Sequence, residues 1–153
     1  MGSFYFNHTK EYDKAVTLFR QASESLKCDR ALNNLGLCFE QGLGSAVQDY
    51  HQAIKLYELS ADLGNDQAMS NMGYLYFKIA CQSGNPAAFT HAGTRQVMDQ
   101  EELYFQAATW LRRALFTNHH NVEALFLLAK LYDEGYSVDV NPELAQSYYE
   151  KAA

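Results

Sequence analysis

Two apolar signatures alternate along this chain at nearly constant spacing, and that spacing limits the possible folds more than any other feature. Ala15, Leu18, Phe19 and Ala22 return as Ala53, Leu56, Tyr57 and Ser60 at an offset of 38. Ala31, Leu35, Gly36 and Phe39 return as Ala68, Met72, Gly73 and Tyr76 at an offset of 37. Ala107, Trp110, Leu111 and Ala114 return as Ala145, Tyr148, Tyr149 and Ala152, again at 38. Within each set the residues step by three and four, the period of one helix face. Each unit is therefore a pair of helices. Neither helix carries enough apolar surface to stand alone, so each pair needs a neighbouring pair. The expected fold class is all-α, a solenoid of antiparallel helix pairs.

Taken in order, residues 9–27 form a half repeat, 29–65 a full repeat, 66–120 an irregular repeat and 121–153 a full repeat. Asp29 is the expected N-cap of the first helix in the full repeat. Gly36 sits mid-helix, where glycine costs about 1 kcal/mol relative to alanine. Close approach of the partner helix is the expected compensation. Gly42 and Gly44 supply the turn, and the second helix is expected over about 49–63. In the irregular repeat two readings of the region near 84–100 fit. One is an insertion, and the other is a partly deleted extra repeat with a short helix over about 86–98, for which Pro86 suits the first turn. Asn118 stands where Gly64 stood, as a left-handed helix end. Asn141-Pro142-Glu143 reads as N-cap, first-position proline and early acid of the last helix.

The repeat resembles the Sel-one-like repeat family, a relative of the tetratricopeptide repeats. Leu35-Gly36, Phe39, Gly42 and Gly44 match the first half of its pattern. Ala53, Leu56-Tyr57, Ser60-Ala61 and Gly64 match the second. In the last unit Ala124, Leu128, Tyr132, Gly135, Val138, Asn141, Ala145, Tyr148-Tyr149 and Lys151-Ala152-Ala153 match almost throughout. Ala129 in place of glycine, Ser137 in the turn and the irregular 77–100 region depart from it. The resemblance implies a right-handed α-α superhelix and an adaptor or scaffold role in multiprotein complexes.

Composition narrows the function classes. The 153 residues include 48% hydrophobic residues and only two prolines, which suits a packed helical core. The net charge of −6 argues against nucleic acid, whose phosphates need clustered Lys and Arg. No apolar run reaches the about 18 to 20 residues of a membrane span, and no signal peptide is visible, although Met1-Gly2-Ser3 also reads as a cloning scar. Cys28, Cys38 and Cys81 form no CxxC pair. They fit reduced thiols in a reducing compartment such as the cytoplasm; one disulfide and a free thiol in a secreted setting is the alternative. The Asn7-His8-Thr9 sequon proves no compartment.

Catalytic and metal chemistry find little footing. His8, His51, His91, His119 and His120 lack metal-ligand spacing. Gly42-x-Gly44 is too short for a nucleotide fingerprint and follows a helix. No nucleophile stands beside a base. Neither a cofactor nor an enzymatic activity is expected, a hydrolase being the remote alternative.

In tetratricopeptide-like arrays the first helix of each pair lines a concave groove. The corresponding positions here are Arg30, Asn33, Leu37 and Glu40; Gln67, Ser70, Tyr74 and Phe77; and Glu123, Phe126, Lys130 and Asp133. Asn and Gln can hold a peptide backbone, and Tyr74, Phe77 and Phe126 are anchor types. A merely solvated face is the plainer reading of the same residues. The acids Glu40, Glu123, Asp133 and Glu134 favour a neutral or basic protein segment. Two function classes remain: an adaptor that binds a segment in its groove, and a structural subunit packed permanently in a larger assembly. The last helix carries Leu144, Tyr148 and Tyr149 with no following helix to cover them, so self-association through this end, or continuation into a longer array, is expected.

Overall fold

The computed structural model describes residues 12–26, 28–43, 46–82, 99–136 and 139–153. Among the described residues there are seven α-helices and no strand. They are α1 (Tyr12–Leu26), α2 (Asp29–Gln41), α3 (Tyr50–Asp62), α4 (Asp66–Gln82), α5 (Gln100–Thr117), α6 (Val122–Glu134) and α7 (Pro142–Ala152). Two compact units divide the chain, Met1–Ala68 and Met69–Ala153, and the boundary falls in the first turn of α4.

In the first unit α2 packs against both α1 and α3. Val16 and Phe19 of α1, Leu32, Leu35 and Cys38 of α2, Ala46 of the following turn and Leu56 of α3 form its core, with Phe39 and Leu43 against it. Val16 is absent from the apolar stripe read off the sequence. It shares a face with Phe19 three residues on, whereas Leu18 is only half-buried. The close approach expected at Gly36 is present. A methyl group there would sit 2.7 Å from Tyr57 Cε1 and 2.8 Å from Tyr57 Cδ1, so the bare backbone is what admits the ring. Tyr57 is wholly buried and donates its hydroxyl to Glu40 Oε2 at 2.5 Å. Gly42 then ends α2 in the left-handed conformation, φ 67°.

Two termini in this unit follow familiar rules and one departs from expectation. Asp49 caps α3, accepting from the backbone N–H of His51 at 3.0 Å and of Gln52 at 3.2 Å. The N-cap of α2, however, is Cys28, which makes no side-chain cap bond. Asp29 is instead the first helical residue, where its charge meets the positive end of the helix dipole. Its backbone carbonyl accepts from Ser60 Oγ at 2.5 Å, and its carboxylate accepts from Asn65 Nδ2 at 2.8 Å. Asn65 in turn accepts from Ala68 N–H at 2.8 Å, and so caps α4. One amide thus starts a helix and clasps the start of the previous first helix.

The second unit repeats the scheme with different residues. Gly73 of α4 faces α5, where an added methyl would lie 2.6 Å from Leu111 Cγ and 3.1 Å from the Ala107 carbonyl oxygen. Leu103, Leu111, Leu128 and Leu131 are wholly buried in its core. Asn121 caps α6 through Ala124 N–H at 3.0 Å, and its Nδ2 donates to Ser70 Oγ of α4 at 3.4 Å, a second clasp. Asn141 caps α7 through Leu144 N–H at 3.0 Å with Pro142 in the first turn, as its sequence signature predicts. Asn118 differs from expectation: it is extended, φ −141° and ψ 102°, not left-handed. Its side chain accepts from His120 N–H at 3.1 Å, the local bond that makes asparagine a turn residue. The expected helix over 86–98 and the choice between insertion and extra repeat lie outside the described residues, as does Gly44.

Candidate functional site

The twelve positions read as groove-lining separate into two groups by burial. In the first unit Arg30 and Gln67 are exposed, Leu37 is half-buried, and Asn33 and Glu40 are buried. Glu40 is engaged by the Tyr57 hydroxyl and its backbone carbonyl accepts from Gln48 Nε2 at 3.1 Å. Burial holds the Tyr57 proton most strongly, followed by the charge of Glu40 and the hydrogen bond to it; together they raise this hydroxyl far above an ordinary tyrosine. The same burial pushes the neighbouring Cys38 thiol up to about 11.

In the second unit Ser70 is wholly buried and accepts from Asn121. Phe77 is buried too. Its ring lies 5.7 Å from that of Tyr104 and 6.4 Å from that of Tyr136, and those two tyrosines stack at 4.3 Å. Lys130 Nζ stands 5.3 Å above the Phe77 ring, a favourable cation–π distance. The structure therefore brings two of the twelve, Phe77 and Lys130, into direct contact. Tyr104 also lies 3.4 Å from the Cys81 thiol, and burial, then this contact, raises its hydroxyl above the usual range. Tyr74, Glu123, Phe126 and Asp133 remain exposed. Tyr74 keeps 46% and Phe126 51% of its surface open to solvent. Phe126 meets Tyr149 of α7 edge-on at 5.7 Å, so its orientation is set although its outer face is bare.

A further group of residues escaped the groove reading. Tyr132 of α6 stacks on Tyr148 of α7 at 6.0 Å, and Arg112 of α5 donates to the Tyr132 hydroxyl at 2.8 Å. Burial, then Tyr132, raises the Tyr148 hydroxyl, and Arg112 opposes that rise. The signal that would have found them is Arg112, Leu115 and Phe116 on α5, at spacings of three and four, with Tyr148 and Lys151 three apart on α7. Each set places a cation beside apolar residues on one helix face. Among the described residues no three His, Cys, Asp or Glu side chains cluster to hold a metal ion, and no helix is long and apolar enough to cross a membrane.

This architecture can be set beside known proteins. A sequence model of the Sel1 repeat matches residues 2–25, 29–65, 66–85 and 122–153, well over half of the chain. The chain belongs to the Sel1 repeat family. Sel1 repeat proteins are in general protein-interaction scaffolds, and the fold here is the all-α helical-repeat solenoid. Residues 86–121 fall outside the match, yet they include α5, whose Ala107 and Leu111 pack on Gly73 as a repeat helix should. The crystal structure of a Sel1 repeat protein from Oxalobacter formigenes is similar over 99% of this chain and 54% of its own, with a TM-score of 0.71 and 23% identity. So is c5321, a protective antigen present in uropathogenic Escherichia coli strains displaying an SLR fold. Its TM-score is 0.72 at 25% identity, over 99% of this chain and 28% of its own. This Sel1 repeat chain spans about half of the first and little more than a quarter of the second.

Proposed function

We propose that this Sel1 repeat chain is a binding module that holds a segment of a partner protein against α4 and α6 of the second unit. The exposure of Tyr74 and Phe126 carries this reading. Large side chains of this kind, left half bare on the first helices of helix pairs, are surfaces that association would bury. Glu123 and Asp133, exposed on the same helix as Phe126, favour a neutral or basic segment. The adjoining Phe77–Tyr104–Tyr136 cluster gives these helices a stiff base, which lowers the entropy lost on binding. Asn33, Glu40 and Ser70 support the fold through their burial.

The test is a Tyr74→Ala/Phe126→Ala double variant. Its helicity should be unchanged and its stability lowered by no more than about 1 kcal/mol. Proteins captured by the parent from a native extract and identified by mass spectrometry should be lost. Equal capture by parent and variant would refute this face as the site. A collapse in stability would show that the two rings belong to the core.

A further inference from the structure

We propose that the second unit carries another binding site, a cleft between α5 and α7 that takes a protein segment bearing a carboxylate beside an apolar side chain. The cleft is open to solvent, offers about 360 Å³ and is lined by Leu115, Leu125, Phe116, Arg112, His119, Tyr148 and Lys151. That volume is at the small end of ligand pockets, about 300–1,000 Å³. It suits one anchoring side chain and its neighbours, not a folded domain. Leu115 and Leu125 supply apolar wall. Phe116 is 85% exposed, which makes it the barest large hydrophobic side chain among the described residues.

The charge of the cleft runs against that of the chain. Among the described residues no Asp or Glu lines it, although acids outnumber Lys and Arg by 18 to 12 overall. Neither Arg112 nor Lys151 is paired with a carboxylate among the described residues. Each is steadied by a neutral ring instead. Arg112 donates to the Tyr132 hydroxyl and lies 5.8 Å from that ring's centre, and Lys151 Nζ lies 5.8 Å from the centre of Tyr148. Two cations are thus oriented while their charge stays uncompensated, next to apolar surface that water covers poorly. A carboxylate placed between them, with its apolar neighbour against Phe116, satisfies both demands.

The same numbers disfavour other anionic partners. Lipid surfaces and nucleic acids are read by clusters of about four to eight basic residues or more, and here there are two. A net charge of −6 also repels an extended anionic surface, whereas a short segment senses only charges within a Debye length of about 8–10 Å. The site uses side chains other than Tyr74 and Phe126, so it does not depend on the face proposed above.

Selection of phage-displayed random peptides of about twelve residues against the chain provides the test. Enriched peptides would be synthesised with a fluorescent label, both as free acids and as C-terminal amides, and titrated by anisotropy. The expected result is enrichment of Asp or Glu within about two positions of Leu, Ile or Phe. Affinity should fall at least about tenfold in Arg112→Glu/Lys151→Glu and in Phe116→Ser, fall with added salt, and stay within about twofold in Tyr74→Ala/Phe126→Ala. Equal binding of acid and amide forms assigns the carboxylate to a side chain; a preference for the free acid assigns it to a chain terminus. Arg112, Phe116 and Lys151 are all exposed, and circular dichroism would confirm that the variants fold. Arg112→Gln/Lys151→Gln replaces the charge reversal if it does not. The proposal is overturned if no acidic-apolar peptide is enriched, if such peptides bind the charge-altered variants as well as the parent, or if phosphatidylserine vesicles bind in their place.

Discussion

The pair α2–α3 and the pair α6–α7 are copies of one design, and they differ at one seat. Gly36 in the first corresponds to Ala129 in the second, Tyr57 to Tyr149, and Glu40 to Asp133. Where the glycine stands, the tyrosine ring slides into the helix crossing, is wholly buried and donates a hydrogen bond to a buried glutamate. Where the alanine stands, its own methyl is buried in the crossing. A methyl at that position of the first pair would meet the ring at 2.7 Å, so Tyr149 cannot take the same seat. It remains half-exposed and turns edge-on to Phe126. Burial, then Asp133, still raises its hydroxyl above the ordinary value; the acid is near, one methylene shorter and exposed. The pair α4–α5 offers a third solution: Gly73 faces Leu111, and the acid position is Phe77, since no hydroxyl needs an acceptor. One methyl therefore decides whether an aromatic side chain stabilises a crossing or is left available to a surface.

Truncating the two tyrosines should break the symmetry most sharply. Tyr57→Ala should lose about 3–5 kcal/mol in urea unfolding, as for other large buried aromatics, and Tyr149→Ala no more than about 1 kcal/mol. Equal losses would show that the two seats are equivalent after all. Filling the glycine seat comes next. Gly36→Leu should overpack the crossing and cost about 1–3 kcal/mol, and the same change at Gly73, where backbone as well as a side chain is in the way, should cost at least as much. A variant as stable as its parent would mean that the rings shift freely.

The reverse change, Ala129→Gly, should open the empty seat. Its cost in helix propensity is about 1 kcal/mol, and nitration of Tyr149 by tetranitromethane should slow as the ring moves inward. Unchanged nitration would separate the alanine from the position of the ring. A smaller effect is expected at alkaline pH. An unfolded chain releases the Tyr57 proton near the ordinary value of 10.0, while the folded chain keeps it. The native state then binds more protons, so stability is fully present below about pH 10 and declines above it. Melting temperatures at about pH 9 and about pH 11 should differ more for the parent than for Tyr57→Phe. Finally, Cys38, buried and with its thiol raised to about 11, should resist a thiol reagent that labels the exposed Cys81. Prompt labelling of Cys38 would reveal that α2 and α3 open easily.

What could be read in advance follows the same logic. The crossings at Gly36 and Gly73 were legible because a mid-helix glycine has a cost that asks for a compensating contact. The start of α7 was legible because Asn141-Pro142 permits little else. The start of α2 was not, since an acid at the cap and an acid just inside it look alike in sequence. Asn118 misled because asparagine serves both left-handed ends and side-chain turns, and Asn121 three residues later selects the turn. At the candidate site, helical counting placed Glu40, Ser70 and Phe77 on a groove. It had no means to see that Tyr57, Asn121 and the Tyr104–Tyr136 stack reach them from other parts of the chain. The cleft between α5 and α7 stayed hidden because three helices contribute to it, and only folding adds their separate signals.

The two asparagine clasps have a consequence for how such a chain can lengthen. Asn65 reaches back 36 residues to Asp29, and Asn121 reaches back 51 residues to Ser70. Each amide fixes both ends of the span it closes and is indifferent to what lies between. Closing the longer span costs only about 0.3 kcal/mol more in chain entropy, because that cost grows with the logarithm of length. Extra sequence can thus accumulate inside a unit at almost no thermodynamic penalty, provided the clasp residues survive. Two clasped units can therefore differ in length while the residues that close each of them stay joined.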